Sequence, residues 1–265
     1  MSKLAAQDKF LDLADYGRPA ARLIAHQLKS TKFTPVHVSL LFALSGLIAI
    51  YFILQGYYLL AGIFIILKSI LDAADGELAR IKSTPSYVGR YLDSVLDIIL
   101  NFLFLMTICY VSSSTLVPSL LAFISIQLQG TLYNYYYVIL RNKTSGGDTT
   151  SKIFEQKAPK AFAGEKQNSV NTWFQIFHTL YVVFDKSIYF LDKGACKVKT
   201  LPNWFMTIVS VYGLGFQLLI IAFMLPLNLK EYIIPFFIGY NGLMILIILI
   251  RKNLSAQQTM PQKKN

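Results

Sequence analysis

Long apolar runs, divided by short polar breaks, set the rhythm of this chain. Six of them approach the roughly 20 residues that an α-helix needs to cross a bilayer. They are Val38–Leu54, Tyr57–Ala79, Tyr91–Val111, Leu116–Leu140, Trp204–Leu225 and Tyr232–Ile250. The breaks fall where turn chemistry places them, at Gln55-Gly56, Ser112–Thr115 and Pro226–Asn228. Ahead of the first run, Lys9–Ser30 carries apolar residues at helical spacing (Phe10, Leu13, Ala14, then Ala21, Ile24, Ala25, Leu28) with basic residues between them. That pattern predicts an amphipathic helix in the membrane interface, bent near Asp15-Tyr16-Gly17. Thr34-Pro35 then starts the first membrane helix, since proline is tolerated in a first turn.

Between the fourth and fifth runs lies Arg141–Pro202. Its first half is polar and glycine-containing and reads as loop. Thr172–Asp192 is apolar but interrupted by Asp185-Lys186, which predicts an aromatic-rich interfacial helix rather than a seventh span. His178 within it reads as a packing or headgroup residue. The expected fold is therefore all-α, a polytopic integral membrane protein with six transmembrane helices and an N-terminal amphipathic interfacial helix. In domain terms, residues 1–36 form a cytoplasmic juxtamembrane segment and 37–251 a six-helix transmembrane domain. The loop 141–202 belongs to that domain, and 252–265 is a cytoplasmic tail. No transporter-type internal repeat is evident. The first run follows a charged segment without a small-residue cleavage pattern, so no removable signal peptide is expected.

Composition agrees with this reading. Hydrophobic residues make up 54% and charged residues 15%, against about 25% charged in soluble domains. The net charge of +11 would suit nucleic acid, but its placement argues otherwise. Of the 25 Lys and Arg, six precede the first run, four follow the last and ten lie between Arg141 and Lys199. Four more (Lys68, Arg80, Lys82, Arg90) flank the turn between the second and third runs, leaving only Lys230 on the opposite side. By the positive-inside rule both termini and both charged loops are cytoplasmic, and the basic excess faces anionic lipid. No nucleic-acid partner is expected. Cys109 and Cys196 fall on opposite sides of the bilayer in this layout, so no disulfide is expected.

Against this background one segment stands out, Lys68–Ile98, which holds Asp72, Asp75, Asp93 and Asp97 between two runs almost free of charge. Helical geometry places Asp72, Asp75, Gly76 and Ala79 on one stripe of the second helix. Asp93 and Asp97 lie one turn apart on the third, with Gly89 one turn before them. The short connection Lys82–Ser86 makes the two helices antiparallel neighbours, so the carboxylates converge near the cytoplasmic side. Four carboxylates at close range repel severely in a low dielectric. Protons, basic side chains or divalent cations would each offset that repulsion. Two divalent ions neutralise four carboxylates, and oxygen-only ligands suit Mg²⁺ or Mn²⁺. Such a pair is the usual clamp for phosphoryl substitution. Lys68 lies one turn before Asp72, where it either pairs with that carboxylate or meets an anionic substrate. Arg90 is a second candidate for such a contact.

The string Asp72-Ala-Ala-Asp75-Gly76-Glu-Leu-Ala79-Arg80, eight residues, then Gly89-Arg-Tyr-Leu-Asp93-Ser-Val-Leu-Asp97 resembles the signature of the CDP-alcohol phosphotransferases, D-x-x-D-G-x-x-A-R-x8-G-x-x-x-D-x-x-x-D. All eight fixed positions match. Thr34–Ser39 also resembles the family's P-N-x-V-T turn before the first helix, but with Val36 for Asn and Ser39 for Thr, so that turn is left without a role. The resemblance implies a membrane enzyme of phospholipid synthesis that moves a substituted phosphate from a CDP-alcohol, such as CDP-diacylglycerol, to an acceptor alcohol and releases CMP. It implies two divalent ions on Asp72, Asp75, Asp93 and Asp97, with Asp97 also the general base. Gly76, Ala79 and Gly89 would make room for the cytidine and ribose, and Arg80 would meet phosphate oxygens. A homodimer in the bacterial inner membrane is the assembly and location it implies. Two rivals remain: an Asp-rich membrane prenyltransferase, and a cation transporter with intramembrane carboxylates. The first needs a second Asp-rich motif, which the acid-free later runs do not supply. The second needs carboxylates further along a path.

Overall fold

The computed structural model describes residues 9–144, 155–198 and 200–259, and every element among them is helical. A short 3-10 turn at Leu13–Asp15 precedes α1 (Arg18–Leu28), α2 (Pro35–Leu54), α3 (Tyr58–Ile81), α4 (Tyr87–Val111) and α5 (Leu116–Thr144). Then follow α6 (Gln167–Leu191), α7 (Asn203–Val209), α8 (Leu214–Met224), α9 (Lys230–Tyr240) and α10 (Leu243–Thr259).

Among the described residues, four segments are long and apolar enough to cross a membrane: α2, α4, Leu116–Lys143 of α5, and Lys230–Leu254, which is α9 with the first part of α10. The pair Asn203–Tyr212 and Leu214–Met224 makes a fifth if counted as one span, bent by 51°. The run Trp204–Leu225 is thus divided by a bend within it. Its cause is tertiary. Leu13 N–H donates to Ser210 Oγ at 3.0 Å, and Ala14 presses on Gly213 and Gly215, where any side chain would collide with it. α3 does not qualify on composition, because its second half carries Lys68, Asp72, Asp75, Glu77 and Arg80.

The predicted start of α2 is built from local chemistry. Thr34 caps the helix, Pro35 occupies its first turn, and His37 Nδ1 accepts the Thr34 N–H at 3.0 Å. Leu40, Leu44, Leu47, Tyr51 and Leu54 remain exposed along α2, a stripe suited to lipid. The predicted N-terminal helix is shorter than its apolar pattern. Asp12 accepts the Ala14 N–H and closes a tight turn, so regular helix begins only at Arg18, with Ala21 and Ala25 buried against α3.

Lipid tails are as apolar as leucine, so close van der Waals packing through small residues, not water exclusion, holds such helices together. Gly62 shows this directly: a Cβ there would lie 2.5 Å from the Ala222 carbonyl oxygen, which fixes the close approach of α3 and α8. The larger core joins α2, α3, α4, α5, α8 and α9 through Phe42, Ile65, Phe104, Ile126, Ile221 and Phe237. A second core gathers α5, α7 and α10. It is pinned by the buried Arg251–Asp192 ion pair, to which Tyr136 OH donates at 2.7 Å. α6 passes from Tyr91 of α4, where Phe174 packs, to the α5 tyrosines, where Tyr135 OH donates to the Asp192 carbonyl at 3.0 Å. His178 stacks on Phe174 as a packing residue.

Candidate active site

α2 packs on both α3 and α4, while α3 and α4 touch each other little, and the space between them becomes the site. The turn joining them needs one residue in the left-handed region, Ser83 at φ 52°. Ser86 then starts α4 by accepting the Gly89 N–H at 2.8 Å. This places Asp72 and Asp75 of α3 opposite Asp93 of α4. Their ligand atoms all lie within 4.8 Å of one another.

The fourth aspartate is held differently. Lys68 is fully buried, and its ammonium donates to Asp72 Oδ2 at 3.0 Å and to Asp97 Oδ1. Lys68 thus pairs with the Asp72 carboxylate, as its spacing allows, and with a second carboxylate besides. Asp75 is supported from α2, where Ser39 Oγ donates to its Oδ2 at 2.6 Å. Asp93 Oδ1 is buried and has no hydrogen-bond partner among the described residues. The donor set is oxygen only and three-sided, with one buried oxygen unmet, so the cluster fits a hard divalent ion. Lys68 answers one of the four carboxylates when they are ionised, and Asp72, Asp75 and Asp93 form a group that could hold a metal ion.

Asp75, Asp93 and Asp97 face a cavity of about 1280 Å³ whose walls also include Gly76, Ala79, Arg80, Gly89 and Arg90. Asp72 and Lys68 stand behind that wall. Gly76 leaves the α3 side open, since an added Cβ would meet only the Arg80 guanidinium, at 3.6 Å. Arg80 is steadied by Glu77 at 3.1 Å. Glu77 is itself buried and also draws Arg18 at 3.4 Å and Arg22 at 3.8 Å, so α1 is docked on the back of the site helix. Arg90 does not stand alone in the cavity wall: it donates to Glu155 Oε2 at 2.5 Å and lies over the Tyr91 ring.

The family model for CDP-alcohol phosphatidyltransferase matches residues 33–263. The chain belongs to the CDP-alcohol phosphatidyltransferase family. Three curated relatives share parts of it, each named bifunctional IPC transferase and DIPP synthase. The Aquifex aeolicus protein is 40% identical over 76 residues, 28% of this chain and 17% of its own length. The Thermococcus kodakarensis protein is 39% identical over 84 residues, 32% of this chain and 19% of its own length. That of Archaeoglobus fulgidus is 41% identical over 63 residues, 24% and 13% of the two chains. The chain therefore spans less than a fifth of the length of these relatives.

In this family member, the cavity mouth is shaped by residues 155–166, ahead of α6. Glu165 lies over the first turn of α4, where its carboxylate accepts from Ser86 Oγ at 2.7 Å, Val88 N–H at 3.0 Å and Tyr87 N–H at 3.2 Å. Partial burial pushes this carboxyl up, but the bonds from Ser86, Val88, Tyr87 and Phe162 outweigh it and hold it below its ordinary value. Tyr87 stacks on Phe162 at 4.5 Å and completes the lip. The spacing of the motif pointed to the four aspartates and to Gly76. Ser39, Glu155 and Glu165 lie outside it and Glu77 fills one of its variable positions, and only the family-like turn Thr34–Ser39 carried any signal for one of them.

Proposed function

We propose that this chain is a membrane enzyme of phospholipid synthesis that transfers a substituted phosphate from a CDP-alcohol to an acceptor alcohol and releases CMP. One observation carries this reading: Asp72, Asp75 and Asp93 converge beside a large cavity, and a buried oxygen of Asp93 is left unmet. Asp72, Asp75 and Asp93 would hold divalent ions, Mg²⁺ or Mn²⁺, with Asp97 completing a second position. Bound there, a pair of ions would neutralise the diphosphate and polarise its oxygens.

The chain's own residues supply the rest. Gly76, Ala79 and Gly89 admit the cytidine and ribose along the α3–α4 gap. Arg80, with its planar fork, orients phosphate oxygens. Asp97 takes the proton of the acceptor hydroxyl. The acceptor oxygen then forms its bond to the β-phosphorus as the bond from that phosphorus to the CMP oxygen breaks. Lys68 fixes the direction in which the Asp97 carboxylate points.

In the bilayer, α3 is taken as a crossing helix despite its charge, because α1, α2 and α8 pack on it and Asp75 faces the cavity. With the bent pair α7–α8 as one span, this gives six crossings, with α1 and α6 at the interface. Both termini and the cavity mouth are then cytoplasmic. The test is direct. Purified protein with Mg²⁺ or Mn²⁺ is given a panel of CDP-alcohols and acceptors, and CMP is measured. Release of CMP that stops on chelation supports the reading. Failure to release CMP from any pair, together with metal-independent nucleotide binding, sinks it.

A further inference from the structure

Past Asp97 the cavity continues along a wall that the aspartate chemistry does not use. α5 turns Gln127, Thr131 and Asn134 toward it, at helical spacing, and α4 adds Asn101, one turn beyond Asp97. From α8 comes Gln217. These are amides and a hydroxyl set inside helices apolar enough to cross a membrane. Arg141, a basic residue of the cavity lining on the same helix, is ten residues from Thr131, about 15 Å further along α5 at 1.5 Å per residue.

Two of these amides are incompletely bonded. Gln217 is 1% exposed, and its Nε2 donates to the Ile126 carbonyl at 3.2 Å and to Gln129 Oε1 at 3.0 Å. Those two acceptors settle which way the amide points and leave Gln217 Oε1 with no partner among the described residues. Gln127 is 6% exposed, and its Nε2 likewise has none. Polar side chains do serve as glue between membrane helices, and the bond between Gln129 and Gln217 is of that kind. Glue does not account for a donor and an acceptor left unmet beside a cavity, because an unmet buried amide is costly and the alternative is an aliphatic residue. A hydroxyl group both donates and accepts, so it answers both amides.

We propose that this inner end of the cavity is the acceptor subsite and that it takes a small uncharged polyol, its reacting hydroxyl toward Asp97 and its others toward Gln127 and Gln217. A phosphorylated alcohol placed there would bury its charge among amides. This assignment rests on the proposed transfer reaction.

The experiment is saturation-transfer difference NMR on the full chain in nanodiscs with Mg²⁺, using CMP, glycerol, myo-inositol and glycerol 3-phosphate as probes. CMP should show Mg²⁺-dependent transfer. With CMP present, glycerol or myo-inositol should also show transfer, not displaced by equimolar glycerol 3-phosphate. The polyol signal should fall at least tenfold in Gln127→Leu and in Thr131→Val, while the CMP signal persists. Both variants should melt no lower than the parent, since each removes a polar group from an apolar setting. Absence of polyol transfer, an equal signal in the variants, or displacement by glycerol 3-phosphate overturns the subsite even if CMP binds. Loss of the CMP signal in the parent instead strikes the transfer reaction itself.

Discussion

Ser39 Oγ donates to Asp75 Oδ2 at 2.6 Å, so the first membrane helix braces a carboxylate of the next. The bond is buried at both ends, with Ser39 2% and Asp75 7% exposed. A carboxylate that holds a cation is oriented by such partners, and losing one typically lowers metal affinity by about 10–100-fold. Ser39→Ala should therefore raise the Mn²⁺ concentration needed for half-maximal CMP release by at least about tenfold. Ser39→Thr, which keeps the hydroxyl, should restore it. An unchanged metal requirement in Ser39→Ala would show that Asp75 needs no brace.

Lys68 sits fully buried between two carboxylates. Removing one partner of a buried ion pair costs about 3–5 kcal/mol, because the other is left uncompensated. Lys68→Met should be strongly destabilised in chelator. It should then recover part of that loss in Mn²⁺, since a cation answers the surplus negative charge. The check is the melting temperature with EDTA and with Mn²⁺. The metal-induced rise should be larger in Lys68→Met than in the parent, and equal rises would remove Lys68 from the charge balance of the cluster.

Asp97 differs from its three neighbours in contacting the lysine while still lining the cavity. Asparagine at 97 keeps an oxygen for Lys68 but cannot take a proton. A positioned base contributes about 10²–10⁴-fold to rate. Asp97→Asn should lose CMP release by that order while folding normally and retaining Mg²⁺-dependent CMP binding. Retained turnover would transfer the base role elsewhere.

Why the aspartates were legible from the sequence and Ser39 was not is a matter of range. Within a helix, spacings of three and four convert directly into a shared face, so Asp72 with Asp75, and Asp93 with Asp97, declare themselves. Ser39 lies 36 residues from its partner, on a helix apolar all round, where no periodicity marks one serine. Glu77 shares the motif's helix but points away from the cavity, and only the docking of α1 shows why it is buried. Lys68 could be paired with Asp72 by spacing alone, but the Asp97 contact required α4 in place. The 51° bend before α8 was invisible for the same reason. It depends on Leu13 and Ala14, nearly two hundred residues upstream.

Glu165 offers a test that the membrane interior does not complicate. Its carboxylate accepts three bonds from Ser86, Tyr87 and Val88 at the α4 N-terminus, where the helix dipole also favours negative charge. Its pKa in the folded protein lies below its ordinary value of 4.5. A depressed carboxylate contributes stability in full above the unfolded value and loses it as pH falls through the folded one. Glu165→Gln keeps one acceptor oxygen but no charge, and a cap of this kind is worth on the order of 1 kcal/mol. The parent should therefore melt a few degrees above Glu165→Gln at pH 7, with the gap constant down to about pH 5 and closing below pH 4.5. Because the same carboxylate anchors the lip of the cavity, Glu165→Gln should also raise the KM for the CDP-alcohol at pH 7 more than it lowers kcat. A melting gap that ignores pH would mean that shape, not charge, holds the loop on α4.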